Sequence, residues 1–281
     1  MKILLLGKNG LLGREIEHAF ANKGHDEFFA LNHADLDITN RDALFLTLKD
    51  LNPDHVINAA AFTFVDECEI KKEFVMNVNG KSNGHLAEIC SELGCHLTYF
   101  STDYVFDGTK DGEYTEDDEP SPINVYGASK LLGEQLIQQK TDKFYIVRTS
   151  WLFGMHGRNF VTTMLDLAKK GEPIKVVDDQ IGKPTYSHDL AGAVFDMIHD
   201  TVPPSGIYHL VNEHKTSWYH FAKKIFDATN SNNVNLVRVS SDSLDRAAPR
   251  PQNSALANTK LPKLRTHQEA LNDYLHHLNI I

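Results

Sequence analysis

The sequence predicts an α/β protein: a doubly wound parallel sheet joined to a smaller α/β lobe. Three observations carry this expectation. Short apolar runs alternate with segments of helical periodicity through the first half of the chain. Those runs are continuously apolar, as strands covered on both faces are. A glycine-bearing turn then follows the first run and opens the first helix. The chain can build the core this needs, since 41% of its 281 residues are hydrophobic and 23% are charged.

Taken in order, Ile3–Leu6 is the first strand and Leu11–Ala21 the first helix. Phe28–Leu31 is the second strand, and Asp42–Lys49 is helical. Val56–Ala60 is the third strand, with Pro53 just ahead of it. One long helix is expected over 72–93, followed by a strand at His96–Ser101. Val125–Gln139 reads as a helix and Phe144–Arg148 as a strand. Residues 1–150 therefore form the first domain. Over 151–281 the rhythm loosens, with strands at Val176-Val177 and Ile207–Val211 and helices at Leu190–Ile198, Ser217–Ala228 and His267–Leu278. Proline and glycine cluster at Pro203-Pro204-Ser205-Gly206. This half reads as a loop-rich lobe whose segments interleave with the first domain.

Composition excludes several functions. A formal net charge of −10 argues against nucleic-acid binding, which needs a basic stripe. Three cysteines are too few for a disulfide scaffold. Met1–Leu6 meets Gly7 too soon for a secretory signal, and no apolar run approaches the roughly 18 residues of a membrane span. The expected location is cytoplasmic, without a membrane partner. Fifteen histidines raise the question of a metal. His209, His214 and His220 match no tight ligand spacing, so no metal site is expected.

Chemistry begins at Gly7-Lys8-Asn9-Gly10-Leu11-Leu12-Gly13. Gly7 and Gly10 let the backbone turn tightly against a pyrophosphate, Gly13 allows close helix–strand packing, and the helix start offers free N–H groups to an anion. This is the turn of a Rossmann-type dinucleotide site, spaced G-x-x-G-x-x-G. Expected cofactor contacts are Gly7, Asn9, Gly10, Leu11, Leu12 and Gly13, with Asp37, Ile38, Ala59, Ala60, Tyr126 and Lys130. An acid at the second strand end would hold a ribose 2′-hydroxyl. Here Ala30-Leu31-Asn32-His33 has none before Asp35. With Lys8 and His33 adding positive potential, NADPH is expected, and NADH stays open.

Tyr126 and Lys130 lie four residues apart, on one face of a helix. Carbonyl reduction needs a proton donor for the oxygen that receives charge as hydride arrives, and a tyrosine of pKa about 10 is a sluggish acid at neutral pH. Bringing it to about 7 takes about 4 kcal/mol, the order one ammonium about 4 Å away supplies at an effective dielectric of about 20. Tyr219 and Lys223 share this spacing, so context decides. Thr102, at the end of the strand before Tyr126, can aim its hydroxyl at the same carbonyl. Nothing comparable precedes Tyr219, which reads as a structural helix residue.

With these motifs in order, the chain resembles the extended short-chain dehydrogenase/reductase family, and within it the reductases of dTDP-linked 4-keto-6-deoxy sugars. The segments that carry the likeness are Ser101–Gly108, Arg148–Gly154, Gln180–Thr185 and Arg250–Ser254. The resemblance implies reduction of such a sugar's 4-keto group. It implies Tyr126 as acid, Lys130 as ribose anchor and depressor of the tyrosine pKa, and Thr102 as the hydroxyl that orients the carbonyl. It also implies Asp103, Tyr104 and Trp151 along the sugar pocket and Arg250 on the diphosphate side. Related dehydratases carry Thr-Asp-Glu where this chain has Thr102-Asp103-Tyr104, so their proton shuttle is incomplete here. Two alternatives remain: a nucleotide-sugar epimerase, and a non-catalytic regulatory subunit of the methionine adenosyltransferase partner type. Some members use Mg²⁺ at a subunit contact, and both Mg²⁺ and a homodimer are left open.

Overall fold

Residues 1–23, 26–231 and 233–281 are described by a computed structural model. The apolar run of β1 (Lys2–Leu6) is buried on both faces of the sheet. Ile3 and Leu5 enter one hydrophobic layer, Leu4 and Leu6 the other. Six parallel strands lie in the order β2 (Glu27–Leu31), β1, β3 (His55–Asn58), β4 (His96–Thr102), β5 (Phe144–Thr149) and β10 (Gly206–His209).

Helices cover both faces. α1 (Leu11–Lys23) and α8 (Ser187–Asp196) bury Ile16, Phe20, Leu190 and Val194 on one side. α2 (Arg41–Leu51), α5 (Ser82–Leu93) and α6 (Val125–Lys140) bury Leu44, Leu48, Leu86, Ile89 and Ile137 on the other. The doubly wound expectation holds. α8 and β10 come from the later half of the chain and return to this sheet.

The single helix expected over 72–93 is interrupted. After α3 (Val65–Ile70), α4 (Lys72–Val75) passes into a π-helical stretch, Met76–Lys81, before α5 begins. The wider turn sets the Asn79 amide inward, where its oxygen accepts from the Phe62 N–H at 2.8 Å and its nitrogen donates to Ser129 Oγ at 3.1 Å. Tyr99 donates its hydroxyl to the Asn79 carbonyl at 2.9 Å. A helix-period pattern cannot show such a detour, because it keeps the same residues apolar.

The remaining elements build the lobe around Phe153, Val161, Phe221, Ile225, Leu271 and Tyr274. They are β6 (Leu152–Phe153), α7 (Phe160–Ala168), β7 (Ile174–Val177), β8 (Ile181–Gly182), β9 (Thr185–Tyr186), β11 (Thr216–Ser217), α9 (Trp218–Ala228), β12 (Leu236–Val239) and α10 (His267–His277). Capping boxes start α7 at Asn159 and α10 at Thr266. Among the described residues, no helix is long and apolar enough to cross a membrane.

Candidate active site

The chain winds outward from β1 and β3 in both directions, so the crevice at their C-terminal ends is where a doubly wound sheet binds ligands. A cleft of about 400 Å³ lies there. It is lined by Gly10, Leu11 and Leu12 of the turn, Ala59 after β3, and Thr102 and Asp103 at the end of β4. Tyr126 and Lys130 of α6 and Trp151 beyond β5 complete the set.

The glycine turn is tightly built. Gly7 has φ +87°, and the N–H groups of Gly7 and Lys8 donate to the Leu31 carbonyl at 2.8 and 3.2 Å. A Cβ on Gly7 would sit 2.6 Å from the Ala60 nitrogen, and one on Gly13 would sit 2.2 Å from the Gly7 carbonyl oxygen. Helix propensity favours Gly13→Ala by about 1 kcal/mol. The backbone clash should reverse the sign and destabilise by about 1–3 kcal/mol. The check is a chemical denaturation curve beside an NADPH titration, with both stability and cofactor affinity expected to fall.

At the end of β2, Lys8 is paired with Asp35 at 3.3 Å, and the Asn32 N–H donates to the same carboxylate at 2.9 Å. His33 is 83% exposed and lies 3.9 Å from Asp37. Asp37 accepts from the Thr39 N–H at 2.9 Å, while Ile38 packs into the sheet layer. Gly7, Asn9, Gly13, Asp37, Ile38 and Ala60 therefore lie outside the cleft lining. Gly7, Gly13 and Ala60 shape the turn from behind.

The three expected catalytic side chains converge. The Asn124 side chain caps α6 by accepting from Gly127 N–H at 2.8 Å, and its amide donates to the Pro249 carbonyl at 2.9 Å. A Cβ on Gly127 would stand 2.0 Å from the Tyr104 carbonyl oxygen, so glycine lets the start of α6 press against the β4 end. Tyr126 is thereby brought to the cleft wall that Thr102 also lines. The Thr102 hydroxyl donates to Asp103 Oδ1 at 3.0 Å, and the Ser254 hydroxyl donates to Oδ2. Burial pushes the Asp103 carboxyl up to about 7, against those two hydrogen bonds.

The electrostatics differ from the sequence expectation in one respect. Burial raises the Tyr126 phenol above its ordinary value, with the nearby Thr102 hydroxyl acting against it and the Asp103 charge adding to it. Lys130 is not what lowers it here. Its Nζ lies 4.2 Å from the centroid of the Tyr99 ring, and burial brings its own pKa down to about 7, with Glu134 pulling it back up. Spacing along a helix fixes which face a lysine shares, but not how dry that face is.

Tyr104 lies edge-on to Tyr126, with ring centroids 5.9 Å apart, and burial lifts its hydroxyl to about 12. Arg250 is engaged elsewhere. Its fork donates to Asp66 at 2.5 and 2.6 Å, and that contact holds the Asp66 carboxyl down at about 2. Neither Tyr104 nor Arg250 lines the cleft. Trp151 does, and its backbone sits at φ +48°. That left-handed conformation in a bulky residue costs about 1–3 kcal/mol. The ring stacks on Trp218 at 3.6 Å between centroids and 6° between planes, an arrangement worth about 0.5–1.5 kcal/mol beyond burial.

Sequence reasoning missed Ala61, Thr63, Phe100, Ser101, Thr149, Ser150, Leu152 and Arg158, all of which line the cleft. The Ser101 and Thr149 hydroxyls are buried without a hydrogen-bond partner among the described residues. Small hydroxyl residues at the ends of predicted parallel strands were the available signal for both. Arg158 had none, since it sits in the irregular loop between β6 and α7. The rival Tyr219 lies on α9 beneath the Arg238 guanidinium, 4.5 Å from ring centroid to carbon, and outside the cleft.

Comparison with known proteins extends these observations to the whole chain. The profile of the RmlD substrate binding domain family matches residues 1–280. The chain belongs to this family. It is 40% identical over 269 residues to the dTDP-4-dehydrorhamnose reductase of Aggregatibacter actinomycetemcomitans, covering 92% of each chain. The crystal structure of a dTDP-4-dehydrorhamnose reductase from Clostridium acetobutylicum superposes with a TM-score of 0.95 at 38% identity, covering 99% of this chain and 100% of the other. The Bacillus anthracis dTDP-4-dehydrorhamnose reductase, solved in complex with NADP, gives a TM-score of 0.94 at 36% identity and covers 98% of this chain and 99% of its own. The RmlD family likeness thus spans both the sheet and the lobe, and the extended short-chain dehydrogenase/reductase resemblance is its broader form.

Proposed function

We propose that this chain reduces the 4-keto group of dTDP-4-dehydro-L-rhamnose to give dTDP-L-rhamnose, with NADPH as the reductant. The observation that carries the reading is the meeting of Thr102, Tyr126 and Lys130 in one cleft with the glycine turn. The residues present fit a nicotinamide dinucleotide. The turn presents Gly10, Leu11 and Leu12 to the cleft, and the orphaned hydroxyls of Ser101 and Thr149 stand ready for a polar ligand. The full-length reductase relatives, one of them solved with NADP, support the same activity and cofactor.

When bound, NADPH supplies the hydride. The chain's own residues manage the proton and the orientation. Tyr126 keeps its proton through the neutral range because burial disfavours the phenolate, so it serves as a neutral acid toward the carbonyl oxygen. Thr102 lines the same cleft as Tyr126 and offers a second hydroxyl to the carbonyl. Lys130 supplies positive charge while protonated. The aromatic wall of Trp151 suits a deoxysugar, whose apolar patch it can cover.

The test is sugar-dependent loss of reduced-nicotinamide absorbance, run with NADPH and with NADH on dTDP-4-dehydro-L-rhamnose. Rapid oxidation is expected, faster with NADPH. Cofactor binding without sugar-dependent oxidation would remove the reductase reading and favour a binding subunit. A 4-keto product with inverted ring stereochemistry would favour the epimerase.

A further inference from the structure

The chain has two tryptophans, and both stand at the edge of the cleft in one stack. Trp151 lines the cleft, whereas Trp218, the first residue of α9, lies behind it. Three features converge on the Trp151 ring. Trp218 covers one face at 3.6 Å with the planes 6° from parallel. Gly182 leaves room for its edge, since a Cβ there would lie 2.4 Å from Cε2 and 2.7 Å from Nε1. The backbone that carries it is held at φ +48°, with its carbonyl accepting from the Thr185 N–H at 3.2 Å.

One short ribbon organises all of this. β8 and β11 pair antiparallel, with Gly182 opposite Thr216 and Ile181 opposite Ser217. Gly182 and Trp218 are therefore delivered to Trp151 by the same two-stranded piece. The Ser217 hydroxyl is fixed by Asp178, and its oxygen also caps α9 by accepting from the His220 N–H at 3.1 Å. Phe160 of α7 supports Trp218 with ring centroids 4.5 Å apart. A strained backbone of this kind persists only where its surroundings over-determine it.

From this arrangement we infer that Trp218 is a positioning residue for the sugar. It fixes the plane of Trp151 so that the cleft presents a preset wall to the substrate, instead of a ring that must be ordered on binding. The inference rests on the keto-sugar reading of the cleft. It assigns Trp218 an effect on sugar affinity and none on the proton or the cofactor, because Trp218 lies behind Trp151 and does not itself line the cleft.

The experiment compares wild type with Trp218→Phe and Trp218→Leu, using NADPH and dTDP-4-dehydro-L-rhamnose. Trp218→Leu is expected to raise the KM for the sugar by about 2- to 10-fold, the range to which one aromatic pair converts. The NADPH Kd and kcat should stay close to wild type, the pattern of lost binding without lost chemistry. Trp218→Phe, which keeps a flat ring on Trp151, should recover most of the KM. Circular dichroism gives an independent readout, because face-to-face indoles couple. The split band should be present in wild type, perturbed by the sugar, and absent from both variants.

An unchanged KM in Trp218→Leu would overturn the inference alone. So would a parallel loss of NADPH affinity and kcat in both variants, which marks a general packing defect. Wild type that shows the split band yet does not turn over the sugar would remove the reductase reading, and this inference with it.

Discussion

Replacing Tyr126 with phenylalanine is expected to lower kcat by about 10²-fold or more, the usual worth of a positioned acid. Only the hydroxyl is lost. The ring keeps its edge-on contact with Tyr104, and the close approach of Gly127 to the Tyr104 carbonyl is untouched. NADPH affinity should therefore survive, and kcat and kcat/KM should fall together, as they do when an interaction made in the transition state is removed. Near-wild-type turnover would sink the assignment. Attention would then pass to Tyr219, the other tyrosine with a lysine four residues on.

The pH profile separates this acid from its neighbour. Tyr126 is held protonated above its ordinary value, so its ionisation does not enter the neutral range. Lys130 has its pKa brought down to about 7, and it carries charge below that pH and loses it above. Any share of kcat/KM that depends on the ammonium must decline as pH rises through about 7. A Lys130→Met variant should lose that limb while Tyr126→Phe keeps it at a lower rate.

The second large effect lies beneath the site. Arg148 and Glu134 form an ion pair with both side chains 1% exposed, joined by two hydrogen bonds of 2.9 and 2.7 Å. Arg148→Met would strand the Glu134 carboxylate in the dry interior, and removing one partner of such a pair costs about 3–5 kcal/mol. Urea denaturation is the direct check. The double variant Glu134→Gln/Arg148→Met should regain most of the loss, since neither charge is then buried alone. It should still differ at the site. Glu134 is the group that pulls the Lys130 pKa upward, so its removal should shift the Lys130 limb to lower pH. A double variant with wild-type pH behaviour would restrict the pair to structure.

Reading from sequence placed residues in the fold where one local pattern carries one physical demand. The run Ile3–Leu6, the turn Gly7–Gly13 and the four-residue step from Tyr126 to Lys130 are such patterns. Thr102 could be found because a strand end is visible in the chain. What escaped depends on contacts between distant residues or on dryness. The partner of Arg250 is Asp66, 184 residues away, and no spacing rule links them. The mutual influence of Lys130 and Tyr126 was set by burial, which reverses the simple ion-pair argument. Asn79 sits in a π-helical detour that leaves the apolar pattern unbroken, and Trp218 gains its meaning from a ribbon of two residues per strand.

The late return of β10 and α8 to the sheet has a consequence for how the chain is made. β5 finds its outer partner only when Gly206–His209 has emerged from the ribosome. Until then its edge is an open template for another strand. α1 likewise waits for α8 to cover the surface around Ile16 and Phe20. The amino-terminal half cannot finish as a unit during synthesis, and a nascent chain paused near residue 150 carries both an unpaired edge and an uncovered apolar face. Such a chain is the species most in need of a chaperone.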